Sequence, residues 1–172
     1  EGERAIESLI GKATVTYYAG EYQKTLALLE DVTAIAPDIY EVWYNKGVVL
    51  GNLDRHDEVV YAFDQAINIK PDADRALYYS KGVSLDALGR PEEAIDAFNQ
   101  AIIIKPDDYE AWYCKGIALD NLDRSAGALD AYEKVTSIKP DHAEAWNNKG
   151  IILGSLNRFE ESLASLDKKV KM

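Results

Sequence analysis

Apolar residues along the chain recur every three or four positions, in two stretches per unit that a short turn separates. In the second unit the first stretch runs from Val42 to Leu53 and the next from Val59 to Ile69. This spacing places apolar side chains on one face of an α-helix. The pattern therefore predicts a chain built from antiparallel pairs of amphipathic helices.

The helix pair repeats along the chain with a period of 34 or 35 residues. Each repeat is marked by a glycine in its first helix, at Gly47, Gly82, Gly116 and Gly150. Aromatic and proline positions keep the same register, at Trp43, Tyr78, Trp112, Trp146, Pro37, Pro71, Pro106 and Pro140. Self-similarity at this period indicates a solenoid in which each unit packs only against its neighbours.

The turn between the two helices of a unit carries glycine, aspartate or asparagine, at Gly20, Asp54, Gly89, Asp123 and Asn157. These residue types best tolerate the left-handed conformation that ends a helix, so we expect positive φ angles there. Between units, the predicted N-caps are Asp38, Asp107 and Asp141, each directly after a proline. The residues predicted to face the four glycines from the second helix are Val59, Ala94, Ala128 and Ser162.

Two kinds of basic residue also recur in every unit or nearly so. A lysine precedes the glycine or its alanine equivalent, at Lys12, Lys46, Lys81, Lys115 and Lys149. Because a lysine stem can cover apolar surface while its ammonium reaches water, we interpret these residues as structural. Arginines recur at the turns, at Arg55, Arg90, Arg124 and Arg158, and we expect them to interact with helix ends and nearby acids.

Acidic residues outnumber basic ones, 30 to 19, which leaves a formal charge of -11. This charge repels phosphate backbones and argues against nucleic-acid binding. The sequence has no apolar run of 18 residues, so we predict no membrane-spanning segment. The single cysteine, Cys114, excludes an intramolecular disulfide and a thiolate metal site. We predict a cytoplasmic protein.

Candidate catalytic and metal-binding groups are sparse. His56 and His142 lie in a turn and a linker, and neither has a partner at motif spacing. The sequence contains no metal-ligand, nucleophile or phosphate-loop pattern. Cys114 is typical of a small buried apolar residue. We therefore predict a non-catalytic protein with no cofactor and no metal.

The residues that recur in each unit resemble the tetratricopeptide repeat. In the fourth unit the matching positions are Trp112, Gly116, Leu119, Ala128, Tyr132, Val135 and Pro140. The resemblance extends over nearly the whole chain and implies an all-α fold, a right-handed α-α superhelix of helix pairs. It implies one solenoid domain over residues 1–172, with repeats at about 6–39, 40–74, 75–108, 109–142 and 143–172.

Proteins of this family generally bind other proteins in a concave groove that the first helices of successive units line. The resemblance thus implies a partner-binding site at the groove positions of those helices. These positions hold Tyr17, Tyr18, Tyr44, Val48, Asn52, Tyr79, Val83, Asp86, Tyr113, Ile117, Asp120, Asn121, Asn147 and Ile151. The expected partner is a protein or peptide, bound as an extended segment or a helix.

The groove is predicted to be acidic, with Asp86 and Asp120 among its residues and no basic side chain directed into it. That charge favours a partner that combines apolar residues with Lys or Arg. Some family members clamp a C-terminal carboxylate with lysines, but Tyr44, Tyr79 and Tyr113 stand at those positions, so we exclude this role. Two alternatives stay open: self-association through the terminal repeats, giving a homo-oligomer, and a substrate-recruiting segment of a larger enzyme or signalling protein.

Overall fold

A computed structural model of the protein describes residues 2–170, with side chains for residues 2–168. Within this range the backbone forms ten α-helices and no strand: α1 (Gly2–Tyr18), α2 (Tyr22–Ile35), α3 (Tyr40–Asn52), α4 (His56–Ile69), α5 (Arg75–Ala87), α6 (Pro91–Ile104), α7 (Tyr109–Asn121), α8 (Ser125–Ile138), α9 (Ala143–Ser155) and α10 (Phe159–Val170). The ends of the predicted domain, residues 1, 171 and 172, lie outside the described residues. Over the described part, no helix is both long and apolar enough to cross a membrane.

The helices form two compact units, Glu1–Leu88 with α1 to α5 and Gly89–Met172 with α6 to α10. In the first unit α1 packs on α2 and α3 on α4, while α2 and α4 also pack on the helix that follows them. In the second unit α7 packs on α8 and α9 on α10, while α6 and α8 pack on the next helix. The largest side chains that are fully buried include Phe63 in the first unit and Tyr132 in the second.

The predicted left-handed turns are confirmed at all five positions. The φ angles are 74° at Gly20, 54° at Asp54, 69° at Gly89, 56° at Asp123 and 60° at Asn157. The next residue in the chain closes the turn, since Arg55 N donates to Leu50 O at 3.0 Å. This bond satisfies a carbonyl that the end of the helix leaves open.

The predicted N-caps are wrong by one residue. The caps of α3, α7 and α9 are Ile39, Asp108 and His142 rather than Asp38, Asp107 and Asp141. Asp108 N donates to Lys105 O at 3.1 Å, so the aspartate after the proline lies inside a tight turn instead of starting the helix. The Asp108 carboxylate accepts from Ala111 N at 3.4 Å, and His142 Nδ1 accepts from Ala145 N at 3.2 Å.

Gly47 and Gly116 lie against a large side chain of the second helix rather than closest to the predicted partners Val59 and Ala128. A Cβ at Gly47 would lie 2.4 Å from Cε1 of Phe63, and one at Gly116 would lie 2.7 Å from Cε1 of Tyr132. These rings come one helical turn after the predicted partners Val59 and Ala128. In the fifth repeat the predicted partner Ser162 does contact the glycine, because its hydroxyl donates to the Gly150 carbonyl at 2.7 Å. At Gly47 and Gly116 the absence of a Cβ atom thus makes room for an aromatic ring.

Candidate functional site

The predicted site residues of the first unit, apart from Asp86, line two hollows. We call the residues that line these two hollows the tyrosine face. Tyr17, Tyr18, Tyr44 and Val48 border the first hollow, which measures about 350 Å³. Its other lining residues are Ile10, Ala13, Thr14, Thr25, Leu29, Asn45 and Val49. Buried aliphatic side chains at the floor with a few polar groups around them are typical of a site for an apolar group.

Aromatic contacts hold two of these tyrosines in place. The Tyr17 ring lies 5.7 Å from the rings of both Tyr18 and Tyr22. Tyr44 stacks on Tyr40, with 6.0 Å between the ring centroids. Burial raises the pKa of the Tyr44 hydroxyl, and the negative charge of Asp74 raises it further. Tyr18, in contrast, is 83% exposed and presents its ring to solvent at the edge of the hollow.

The second hollow, of about 270 Å³, is bordered by the predicted residues Val48, Asn52, Tyr79 and Val83. Its remaining lining residues are Gly47, Gly51, His56, Val59, Phe63, Ser80 and Ser84. Val48 lines both hollows, so they lie side by side. The predicted residue Asp86 is half-buried on α5 and does not line either hollow.

The prediction that no basic side chain reaches this face is wrong. The guanidinium of Arg75 lies 5.1 Å from the centroid of the Tyr79 ring, in a cation–π contact. Arg75 stands one helical turn before Tyr79 on α5, and residues four apart on a helix are neighbours. The Lys70 ammonium likewise lies 5.3 Å from the Tyr40 ring. The edge of the tyrosine face is therefore of mixed charge.

In the second unit Tyr113 is part of a cluster of side chains from three helices. Its ring lies 4.6 Å from the His142 ring and 5.9 Å from the Tyr132 ring. The Asn148 amide lies beside the hydroxyls of both tyrosines. Burial raises the pKa of both hydroxyls, that of Tyr132 to about 12, and the nearby Asn148 amide partly opposes the shift. This cluster ties α7, α8 and α9 together.

The other predicted residues of the second unit differ in exposure. Ile117 and Asn147 are half-buried, whereas Asp120, Asn121 and Ile151 are exposed. Asn147 Nδ2 donates to Asn148 Oδ1 at 3.5 Å, so it adjoins the tyrosine cluster. No metal-binding group of three or more His, Cys, Asp or Glu side chains was found among the described residues.

The sequence prediction missed side chains that the structure places beside the predicted ones. Thr14 and Asn45 line the first hollow, and Asn148 and His142 contact Tyr113. Helical spacing could have revealed the first two, since Thr14 lies four residues before Tyr18 and Asn45 lies three before Val48. The His142 contact offered no such signal, because it joins two helices.

Sequence models of the tetratricopeptide repeat match residues 40–73, 76–108 and 115–170. The chain belongs to the tetratricopeptide repeat family. A comparison with curated proteins found no match. A tetratricopeptide repeat chain is typically non-catalytic, and its fold supports a role as a protein-interaction scaffold.

Solved structures share the fold over nearly the whole tetratricopeptide repeat chain. A crystal structure of MamA superposes with a TM-score of 0.92 at 18% identity, covering 98% of this chain and 92% of that one. MamA from Desulfovibrio magneticus RS-1 gives 0.86 at 18% identity, with coverages of 97% and 94%. YrrB, described as a TPR protein with an unusual peptide-binding site, gives 0.86 at 24% identity, with coverages of 99% and 91%. The predicted all-α helical-repeat fold is confirmed.

Proposed function

We propose that the tyrosine face binds a peptide segment of a partner protein, with two apolar side chains of the peptide in the two hollows. The observation that carries this proposal is the shared lining residue Val48, which places hollows of about 350 Å³ and 270 Å³ next to each other. Two adjacent recesses on one face match side chains that a single short segment presents. YrrB, which shares the fold, supports a peptide as the ligand.

The chemistry of the hollows suits an apolar anchor with a polar backbone. Burial of an apolar side chain stabilises a complex by about 25 cal/mol for each Å² removed from water. Thr14, Asn45 and Asn52 add side-chain hydroxyl and amide groups among the lining residues. Such groups can bond to the peptide N–H and C=O groups that would otherwise lose water.

Charge adds a preference for basic residues beside the apolar anchors. The chain carries a formal charge of -11, and Asp74 lies close enough to raise the pKa of Tyr44. A net negative field speeds the encounter with a basic segment and biases selection more than it raises affinity. Arg75 beside Tyr79 and Lys70 beside Tyr40 partly offset this field.

The test is a selection of random display-library peptides against the whole chain, followed by fluorescence-polarisation titration of the selected peptides. The decisive variant is Val48→Asn, which places a polar amide at the residue that lines both hollows. Val15→Asn is the matched control, because Val15 lies on α1, is 70% exposed and lines neither hollow. Circular dichroism checks that both variants are folded.

We expect the selected peptides to contain two apolar residues and to lose about tenfold or more in affinity with Val48→Asn, a loss of ~1.4 kcal/mol or more. Val15→Asn should bind as the unsubstituted chain does. Equal affinity of the same peptides for Val48→Asn and Val15→Asn would contradict the proposal.

A second candidate function is self-association, and one exposed apolar stripe favours it. Leu156, at the end of α9, is 41% exposed, and Phe159 and Leu163, which lie four residues apart on one face of α10, are 57% and 64% exposed. Light scattering over a range of concentrations tests this candidate. A mass that rises with concentration and falls back in Phe159→Glu supports it, and a constant monomer mass eliminates it.

A further inference from the structure

The lysine that precedes the repeat glycine is paired with a carboxylate in three repeats. The pairs are Lys46–Glu30 at 3.8 Å, Lys81–Asp64 at 2.5 Å and Lys149–Glu133 at 3.3 Å. In each pair the acid comes from the second helix of the preceding repeat, at the same repeat position. The lysines are largely covered, with 14% to 22% of the side chain exposed. In each pair a carboxylate therefore balances the charge of a lysine whose side chain is largely covered.

Lys115 departs from this arrangement because the corresponding position on α6 holds Asn99. Within the described part of the chain, Lys115 Nζ forms no ion pair with a carboxylate, and it lies 4.9 Å from the centroid of the Trp112 ring. Lys46 and Lys149 make the same contact with their own tryptophans, at 5.1 Å and 5.3 Å. The missing carboxylate, and not the ring, distinguishes Lys115.

A second substitution in the same repeat opens the surface beside Lys115. Glutamates occupy the position of Gly127 in other repeats, where they bind the turn arginine, as in Arg55–Glu58 at 2.5 Å, Arg90–Glu93 at 2.7 Å and Arg158–Glu161 at 2.7 Å. With glycine here, Arg124 lies 3.9 Å from Glu92 instead. Gly127 and Lys115 both line a hollow of about 620 Å³, with Trp112 and Leu119. The amine is thus reachable from solvent.

The charged groups around the hollow leave the Lys115 ammonium weakly compensated. Asp130, Glu133 and Lys134 on α8 line the hollow, but Glu133 is already paired with Lys149. Burial lowers the pKa of the Lys115 ammonium, and the Asp130 carboxylate opposes that shift. A desolvated lysine with a lowered pKa is a better nucleophile at neutral pH, because more of it is uncharged amine.

We propose that Lys115 is a covalent modification site, acylated by activated acyl donors of the thioester or acyl-phosphate class that enter the Gly127 hollow. The uncharged Nζ attacks the acyl carbon and forms an amide bond. The bond from that carbon to sulfur or to the phosphate oxygen breaks, and the leaving group takes its electron pair. One proton passes from the nitrogen to water, and no redox partner is needed. The product has a neutral amide in place of the ammonium.

The test is competitive acylation of the whole folded chain with limiting acetyl phosphate in one arm and acetyl-coenzyme A in the other. Peptide mass spectrometry gives the rate at each lysine, and labelling in urea supplies the unfolded reference. Asn99→Asp is the matched variant, since it changes only an amide to a carboxylate at the position of Asp64 and Glu133. Glu30→Gln performs the reverse change opposite Lys46.

We expect Lys115 to react several-fold faster than Lys46, Lys81 and Lys149 in the folded chain, with at least one donor, and all four rates to converge in urea. Asn99→Asp should lower the Lys115 rate towards that of the paired lysines, and Glu30→Gln should raise the Lys46 rate. The arm with the faster reaction identifies the donor class. A Lys115 rate equal to or below that of the paired lysines, or unchanged by Asn99→Asp, would overturn the proposal.

Discussion

Tyr44 in the first unit and Tyr113 in the second occupy the same repeat position, yet their surroundings differ. Tyr44 packs against Phe63, and Phe63 and Ser80 border an open hollow of about 270 Å³. Tyr113 packs against Tyr132 instead, and the Asn148 amide lies beside both hydroxyls. Asn148 stands at the repeat position of Ser80. The Tyr132 hydroxyl and the Asn148 amide therefore form a polar cluster where the first unit has an open hollow, although the helices at the two places correspond.

Gly47 and Gly116 leave room for the rings of Phe63 and Tyr132, which contact Tyr44 and Tyr113. Gly47→Ala should therefore cause the largest loss of stability. The new Cβ would lie 2.4 Å from the buried Phe63 ring, so the free energy of unfolding should fall by about 3 kcal/mol. Gly116→Ala should cost less, because its closest contact is 2.7 Å. Urea unfolding measures both.

Gly51→Ala is the control for these two variants, since a Cβ there meets nothing within 4 Å. It should stabilise the chain by about 0.5–1 kcal/mol, through helix propensity alone. Equal stability of Gly47→Ala and Gly51→Ala would show that the ring contact does not constrain the glycine.

The phenol of Tyr132 should make the second unit sensitive to high pH. Its pKa is about 12 in the folded chain against 10.0 without burial, so the unfolded state loses this proton first as the pH rises. The stabilisation is complete below pH 10 and is lost between pH 10 and 12, by about 2–3 kcal/mol at about 1.4 kcal/mol per unit.

Urea unfolding at several pH values measures this loss as the difference between the unsubstituted chain and Tyr132→Phe. The difference between their free energies of unfolding should narrow or reverse as the pH rises. The free energy of unfolding of Tyr61→Phe, at an exposed tyrosine, should change with pH as that of the unsubstituted chain does. If the free energies of unfolding of Tyr132→Phe and of the unsubstituted chain change with pH in parallel, the raised pKa of Tyr132 is contradicted.

Removal of a single hydroxyl should lower the stability of the chain at Tyr113 but not at Tyr44. Tyr113→Phe removes the half-buried hydroxyl that lies beside the Asn148 amide, which should lower the free energy of unfolding by about 1 kcal/mol. Tyr44→Phe should be nearly neutral, because the contacts described for Tyr44 are made by its ring. Thermal unfolding of the two variants gives the comparison, and equal losses would refute it.

Moving the polar cluster into the first unit should change peptide binding more than stability. Phe63→Tyr combined with Ser80→Asn reproduces the pair Tyr132 and Asn148 beside the second hollow. We expect a stability change within about 1 kcal/mol and weaker binding of peptides that use this hollow. Fluorescence polarisation with the selected peptides checks the second point, and unchanged affinity would place their anchors elsewhere.

Local features of the fold could be predicted because they depend on neighbours in the chain. Residues of the left-handed turns, such as Gly20 and Asp54, take positive φ angles that favour glycine, asparagine and aspartate wherever they stand. The arginine pairs were predicted for the same reason, since Arg55 and Glu58 are three residues apart on one helix. The predicted N-caps were wrong by one residue because the bond from Asp108 N to Lys105 O closes a turn before the helix, which therefore starts one residue later than the proline pattern suggests.

The sequence by itself determined the helix pairs, their period, the turn conformations and the helices that carry the tyrosines, since all of these follow from spacing and intrinsic backbone preference. Only the tertiary structure decided that Val48 separates two hollows, that Arg75 covers Tyr79 and that Lys115 lacks the carboxylate its equivalents have within reach. The physical reason is that open space and charge compensation depend on side chains from two or three helices at once. Repeat spacing constrains each helix separately, whereas a hollow exists only where the side chains between helices fail to fill it.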